Sequence, residues 1–196
     1  MRLPASRSFR PALRGISLVA VLGLSACQLT AVPLSRQPAS LLGGAIAITG
    51  PRGYCVDPAA TREQGDTAVV LMGRCKFALA VEPALLTVSI GPVASAGAMA
   101  AGGEALTAYF TSTDGRAALS RIGRAGDVTV LEALMADDAY LLHLKDRVVG
   151  DYWRAVVGLN GRLVTISANG TQDAPLAPAS GRTLLDATLA ALRRAN

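Results

Sequence analysis

The stretch DYWRAVVGLNGRLVTISA, residues 151–168, carries the strongest local folding signal in the chain. Two apolar runs, Tyr152 through Leu159 and Leu163 through Ala168, are separated by Asn160-Gly161. Both residues of that pair tolerate positive φ, which a two-residue hairpin turn needs to match the twist of its strands. An antiparallel hairpin is expected here, with Trp153 opening its first strand as a core or sheet-edge anchor.

The same period of two recurs upstream. Asp127 to Leu134 alternates, and Ala139 to Lys145 places Tyr140, Leu142 and Leu144 on one face with Leu141, His143 and Lys145 on the other. Ala136-Asp137-Asp138 between them is a plausible turn. Ala84 to Ile90 sets Leu86, Val88 and Ile90 against Thr87 and Ser89, and Thr67 to Met72 is an apolar run fit for a buried strand. A short strand is expected at Ala45 to Ile48, followed by a turn at Gly50-Pro51-Arg52-Gly53. The polar residues from Asp57-Pro58 through Asp66 suggest a loop or one helical turn.

The helical period appears at Glu104 to Phe110, where Leu106, Tyr109 and Phe110 share a face. A second short helix through Arg121 is expected after a cap at Thr113 or Asp114, with the Gly, Pro, Ala and Ser of residues 91–103 forming a connection. Arg182 to Arg194 is the last helix, with Leu185, Leu189 and Leu192 along one stripe and basic residues in its final turn. Strands at both ends, a middle helical segment and a C-terminal helix packed on the sheet define an α+β class, one domain with a largely antiparallel sheet.

The N-terminus differs in kind. Arg2, Arg7, Arg10 and Arg14 precede an apolar run from Ile16 to Ala26, and no acidic residue occurs before Cys27. At about 11 residues the run is too short for a membrane span, which needs about 20, but it fits the layout of a signal peptide. The formal charge of +5 belongs mainly to this leader: setting the four arginines aside leaves 15 basic residues against 14 acidic ones. The remaining surface has no excess positive charge for gripping phosphates, and no nucleic-acid partner is expected.

Leu24-Ser25-Ala26-Cys27 resembles the lipobox of bacterial lipoprotein precursors. The resemblance implies that residues 1–26 are removed as a signal peptide and that the Cys27 sulfur carries diacylglycerol. Residues 27–42 are then a lipidated N-terminus and flexible tether, and residues 43–196 the folded domain. Two or three acyl chains, at about 0.8 kcal/mol per buried methylene, hold a protein on a bilayer where a single chain does not. The domain is then expected to face the periplasm, and Gln28, which is not aspartate, favours the outer over the inner membrane.

With Cys27 lipidated, Cys55 and Cys75 are the remaining pair, and a disulfide is expected in an oxidising compartment. A metal pair or redox dithiol finds less support: there is no Cys-x-x-Cys, and His143 is the single histidine. No metal and no cofactor are expected. A Ser-His-Asp triad can be assembled on paper from His143, but no Gly-x-Ser-x-Gly elbow presents a nucleophile. The strand position of His143 suggests an exposed or rim residue. Asp137-Asp138, and Asp146 with Asp151, lack the pattern of a calcium loop and suit solvated turns.

Two candidate binding clusters remain. Arg116, Arg121 and Arg124 can fork onto a carboxylate or phosphate, although Arg116 and Arg121, five apart, need not face the same way. Arg52 and Tyr54 lie beside Cys55 and can form a recognition corner or simply a packed turn. The expected function is a membrane-anchored, periplasm-facing lipoprotein, a non-catalytic binding or structural component with the lipid bilayer and an envelope protein as partners. A cell-envelope hydrolase using His143 with a nearby carboxylate is the alternative.

Overall fold

In a computed structural model of the chain, residues 37–171 and 173–196 are described. The leader, Cys27 and the first part of the tether lie outside them. A small sheet pairs β1 (Ala39–Leu41) with β2 (Ile46–Ile48). The main sheet contains β3 (Tyr54–Gln64), β4 (Thr67–Arg74), β5 (Leu85–Val93), β6 (Val128–Ala136), β7 (Ala139–Asp146), β8 (Gly150–Leu159) and β9 (Arg162–Asn169). Their spatial order is β3-β4-β5-β9-β8-β7-β6, and every pairing is antiparallel. Three helices complete the fold: α1 (Gly102–Thr111), α2 (Thr113–Leu119) and α3 (Pro178–Ala195). This is the expected α+β architecture.

The β8–β9 hairpin sits at the heart of the sheet. Leu159 pairs with Arg162 across a two-residue turn in which Asn160 and Gly161 have φ of 49° and 75°, both in the left-handed region that this dipeptide tolerates. β9 is the central strand, so both of its faces must be covered or filled. Val164, Ile166 and Ala168 meet Leu86, Val88 and Ile90 of β5 on one face. There α3 lays Leu185, Leu189 and Leu192 over them, and β1 and β2 add Leu41, Ile46 and Ile48.

The opposite face is covered only in part. Leu106 of α1 and Leu119 of α2 pack on Tyr140, Leu142, Leu144, Tyr152 and Val156, at the β7–β8 side of the sheet. The Tyr140 hydroxyl donates to Thr107 Oγ1 at 2.7 Å, and its ring stacks on Phe110 at 5.7 Å. The cap of α2 is Ser112, whose Oγ accepts from the Gly115 amide at 3.1 Å, rather than Thr113 or Asp114. The turn between α1 and α2 is so tight that a Cβ on residue 115 would collide with the Tyr109 carbonyl oxygen. That turn sets where the chain emerges at Arg121.

Three sequence expectations are corrected. The folded part starts before residue 43, because Ala39–Leu41 pairs with β2 instead of belonging to the tether. Residues 57–64 are not a loop: they continue β3, the edge strand, which bulges between Asp57 and Arg62 around Pro58. A proline and a bulge suit an edge strand, where they interrupt pairing with a further strand. Residues 91–103, expected as a connection, extend β5 to Val93, make a 3-10 turn over Ser95–Ala101 and begin α1.

Cys55 and Cys75 are bonded, with their α-carbons 5.1 Å apart, and the bond ties the base of the β3–β4 hairpin. Closing a loop with a separation of 20 residues restricts the unfolded chain and contributes roughly 3 kcal/mol. Reduction is therefore expected to lower the melting temperature by roughly 6–12 °C, taking 2–4 °C per kcal/mol. An unchanged melt after reduction would show that the bond does not contribute to stability.

A second tie crosses one end of the sheet. The Arg162 side chain, buried at the start of β9, donates to the Asp66 carboxylate at 2.5 Å, to the Asp66 carbonyl at 2.8 Å and to the Gly91 carbonyl at 3.1 Å. The Arg162 hydrogen bond, then the Val93 amide, hold the Asp66 carboxyl below its usual range. A carboxyl lowered in the fold contributes stability that is present above its unfolded value and lost as pH falls through its folded value. Asp66→Asn is expected to flatten the loss of stability between about pH 5 and pH 3, measured by urea unfolding. Equal slopes for both proteins would contradict this.

Candidate functional site

The uncovered part of the α1/α2 face holds a cavity of about 310 Å³. Its floor comes from strand positions that alternate away from the main core. Thr87 and Ser89 are on β5, Thr165, Ser167 and Asn169 on β9, and Tyr152 and Arg154 on β8. Asp146 and Val149 close one end, and Arg121, just past α2, lies at the rim. Register brings these side chains together: Thr87 faces Ser167, Ser89 faces Thr165, and Arg154 faces Ser167 from the other side. The wall is rich in hydroxyls because no helix dehydrates it.

Arg154 is half-buried and its Nε donates to Ser167 Oγ at 3.1 Å. Its guanidinium carbon lies 5.5 Å from the Tyr152 ring centroid, the geometry of a cation–π contact. The Tyr152 phenol is pushed above its usual value, first by burial, with Asp146 adding to the rise and Arg154 and Arg121 opposing it. The phenol therefore keeps its proton at neutral pH and can donate. Asp146 Oδ1 accepts from the amides of Val148 at 2.7 Å and Val149 at 3.0 Å, which shapes the β7–β8 turn at the mouth. Asn169, 8% exposed, has an enclosed Oδ1 with no hydrogen-bond partner.

Of the sequence candidates, Arg121 belongs to this cavity and Arg116 does not. The Arg116 side chain turns back to donate to the Thr111 carbonyl, so the two arginines diverge as their five-residue spacing allows. Arg52 and Tyr54 line a separate groove of about 420 Å³ against α3, with Val81, Leu176 and Leu184. Tyr54 is buried, and its hydroxyl donates to the Glu82 carbonyl at 2.8 Å, which makes it a packed tyrosine more than a recognition group. The groove walls are mostly aliphatic, unlike those of the cavity.

His143 is half-buried rather than exposed. It pairs with Trp153 across β7 and β8, and the two rings stack with centroids 4.7 Å apart. Arg182 from α3 lies over the same indole at 4.9 Å. Nε2 of His143 is enclosed without a hydrogen-bond partner. Its face of β7 is the α3 face, so the sheet itself separates this histidine from the polar cavity. Among the described residues, no group of three His, Cys, Asp or Glu side chains could hold a metal ion.

Sequence reasoning missed Thr87, Ser89, Tyr152, Arg154, Thr165, Ser167 and Asn169. A usable signal was present: β5 and β9 alternate aliphatic with hydroxyl or amide residues, and two neighbouring strands with the same alternation place all the polar side chains on one face.

No protein-family model matches this chain, and no curated protein does. Among solved structures, the chain is similar to that of a point mutant of the protein Mog1, with 17% identity and a TM-score of 0.38, over 81% of this chain and 93% of that one. A likeness of that degree transfers no function.

The Asp146 carboxylate is 5% exposed and spends one oxygen on two amides. Asp146→Ala is expected to cost about 1.5–3 kcal/mol, the range for hydrogen bonds to a charged group. Asp146→Asn, which keeps an acceptor oxygen, should cost less. Equal losses in urea unfolding would show that the turn does not depend on this acceptor.

Proposed function

We propose that this protein is a lipid-anchored component of the bacterial envelope whose domain faces the periplasm and binds its ligand, without catalysis, in the polar cavity of the sheet. The cavity carries the reading. Its wall is a set of hydrogen-bonding groups and a cation held on rigid strands, which is how proteins orient a polar ligand. The chain's single histidine lies on the other face of the sheet, so histidine-based acid–base chemistry is not supplied to this wall. The hydrolase reading would need His143 to act where it is stacked on an indole.

The anchor rests on the leader and on Leu24-Ser25-Ala26-Cys27. The Cys55–Cys75 bond supports it from a second side, since such bonds persist in oxidising compartments and are rare in the cytosol. Mass spectrometry of the membrane fraction is expected to find a mature N-terminus at Cys27 carrying lipid, with Cys27→Ala accumulating as uncleaved precursor. Soluble protein with an intact, unmodified Cys27 would contradict the anchor. Turnover of an envelope substrate that disappears in His143→Ala would contradict the non-catalytic assignment.

A further inference from the structure

Resting on the cavity as a binding site, we infer that its ligand is a small oxyanion, a carboxylate or phosphate carried on a polar scaffold, gripped by Arg154 and Arg121. The charge pattern points this way. Four of the twelve arginines among the described residues have acidic partners, Arg147 with Asp127, Arg162 with Asp66, Arg182 with Asp186 and Arg193 with Asp138, and of the other eight Arg154 and Arg121 are the two that line this cavity. Among the described residues, neither Arg154 nor Arg121 has a carboxylate within ion-pair distance. The one acid on the wall, Asp146, has an oxygen already committed to two backbone amides. Two guanidinium groups thus share a cavity with one carboxylate.

The local geometry is suited to the same ligand. Arg154 is held by its Nε on Ser167 and by the Tyr152 ring, so its terminal nitrogens are oriented in advance. A guanidinium fixed in this way binds a planar oxyanion through two parallel hydrogen bonds, and partial burial strengthens them. The protonated Tyr152 hydroxyl is a further donor beside it. The remaining wall asks for a scaffold with donors of its own. Four hydroxyls, on Thr87, Ser89, Thr165 and Ser167, can accept as well as donate. Asn169 adds an amide to the same wall, its oxygen without a hydrogen-bond partner. A cavity of about 310 Å³ has room for one sugar-acid or amino-acid-sized group.

The test is calorimetric titration of the full chain in detergent with three probes: D-glucuronate, D-glucose and inorganic phosphate. Glucose offers the same ring and hydroxyls without the oxyanion, and phosphate offers the oxyanion without the ring. Glucuronate is expected to bind at least tenfold more tightly than glucose, and its affinity should fall as salt is raised. Arg154→Gln should lose tenfold or more, and the exposed Arg121→Gln, which cannot disturb the core, a few-fold. Phosphate binding that weakens in the same two variants would also support the inference and place the recognition in the oxyanion alone. Glucose bound as tightly as glucuronate, with the loss in Arg154→Gln retained, would overturn the oxyanion and leave the cavity a binding site, whereas binding indifferent to both substitutions would overturn the inference. Silence from all three probes would overturn the inference as well. The broader reading fails separately, when envelope-derived small molecules bind the protein away from these residues.

Discussion

A seven-stranded sheet has two faces to cover, and among the described residues there are helices enough for one and part of the other. That mismatch organises the molecule. On the α3 face the apolar positions of β4, β5, β9 and β8 form one continuous core under a long amphipathic helix and the β1–β2 pair. On the other face α1 and α2 reach only the β6, β7 and β8 side. Aliphatic side chains in the uncovered stretch would stay in water, and there the outward positions are Thr87 and Ser89 of β5 and Thr165, Ser167 and Asn169 of β9, around a polar cavity.

The cavity therefore comes from the same strands that build the core, read at the alternate residues. Its rigidity follows. Thr165 and Ser167 are flanked by Val164, Ile166 and Ala168, none of which is exposed, so the polar wall cannot shift without disturbing the most buried part of the protein. Arg162 pins the start of the same strand to the β3–β4 turn through Asp66, while the Asn160 side chain donates to the Ala45 carbonyl and to Asn196 Oδ1, and Asn196 donates to the Ala47 carbonyl of β2. Both ties act at one end of the sheet. The disulfide holds the edge hairpin, where ladder hydrogen bonds are interrupted by the bulge.

Local chemistry made much of this fold legible in sequence. Asn160-Gly161, the alternation of residues 139–145 and the leucine stripe of α3 each signal through neighbours in the chain, and each is realised. The edge strand escaped because Pro58, Arg62, Glu63 and Gln64 face solvent beside a bulge and leave no period to detect. The cavity escaped for a different reason. Arg121 is visible in sequence as one of a run of arginines, but Arg154 stands alone in an apolar strand, and only the pairing of β8 with β9 sets it beside Ser167. His143 draws a catalytic reading from sequence because it is the single histidine, whereas the register with Trp153 makes it part of a stacked pair beneath α3.

We propose that this protein meets its ligand at the part of the α1/α2 face that the helices leave open. Backbone amide shifts recorded while the protein is titrated with the small-molecule fraction of a bacterial envelope test it most directly. The account predicts shifts concentrated at Thr87, Ser89, Arg154, Thr165, Ser167 and Asn169, with the α3 side quiet. Shifts confined to the groove of Arg52, Val81 and Leu176, with the cavity residues unmoved, would contradict it.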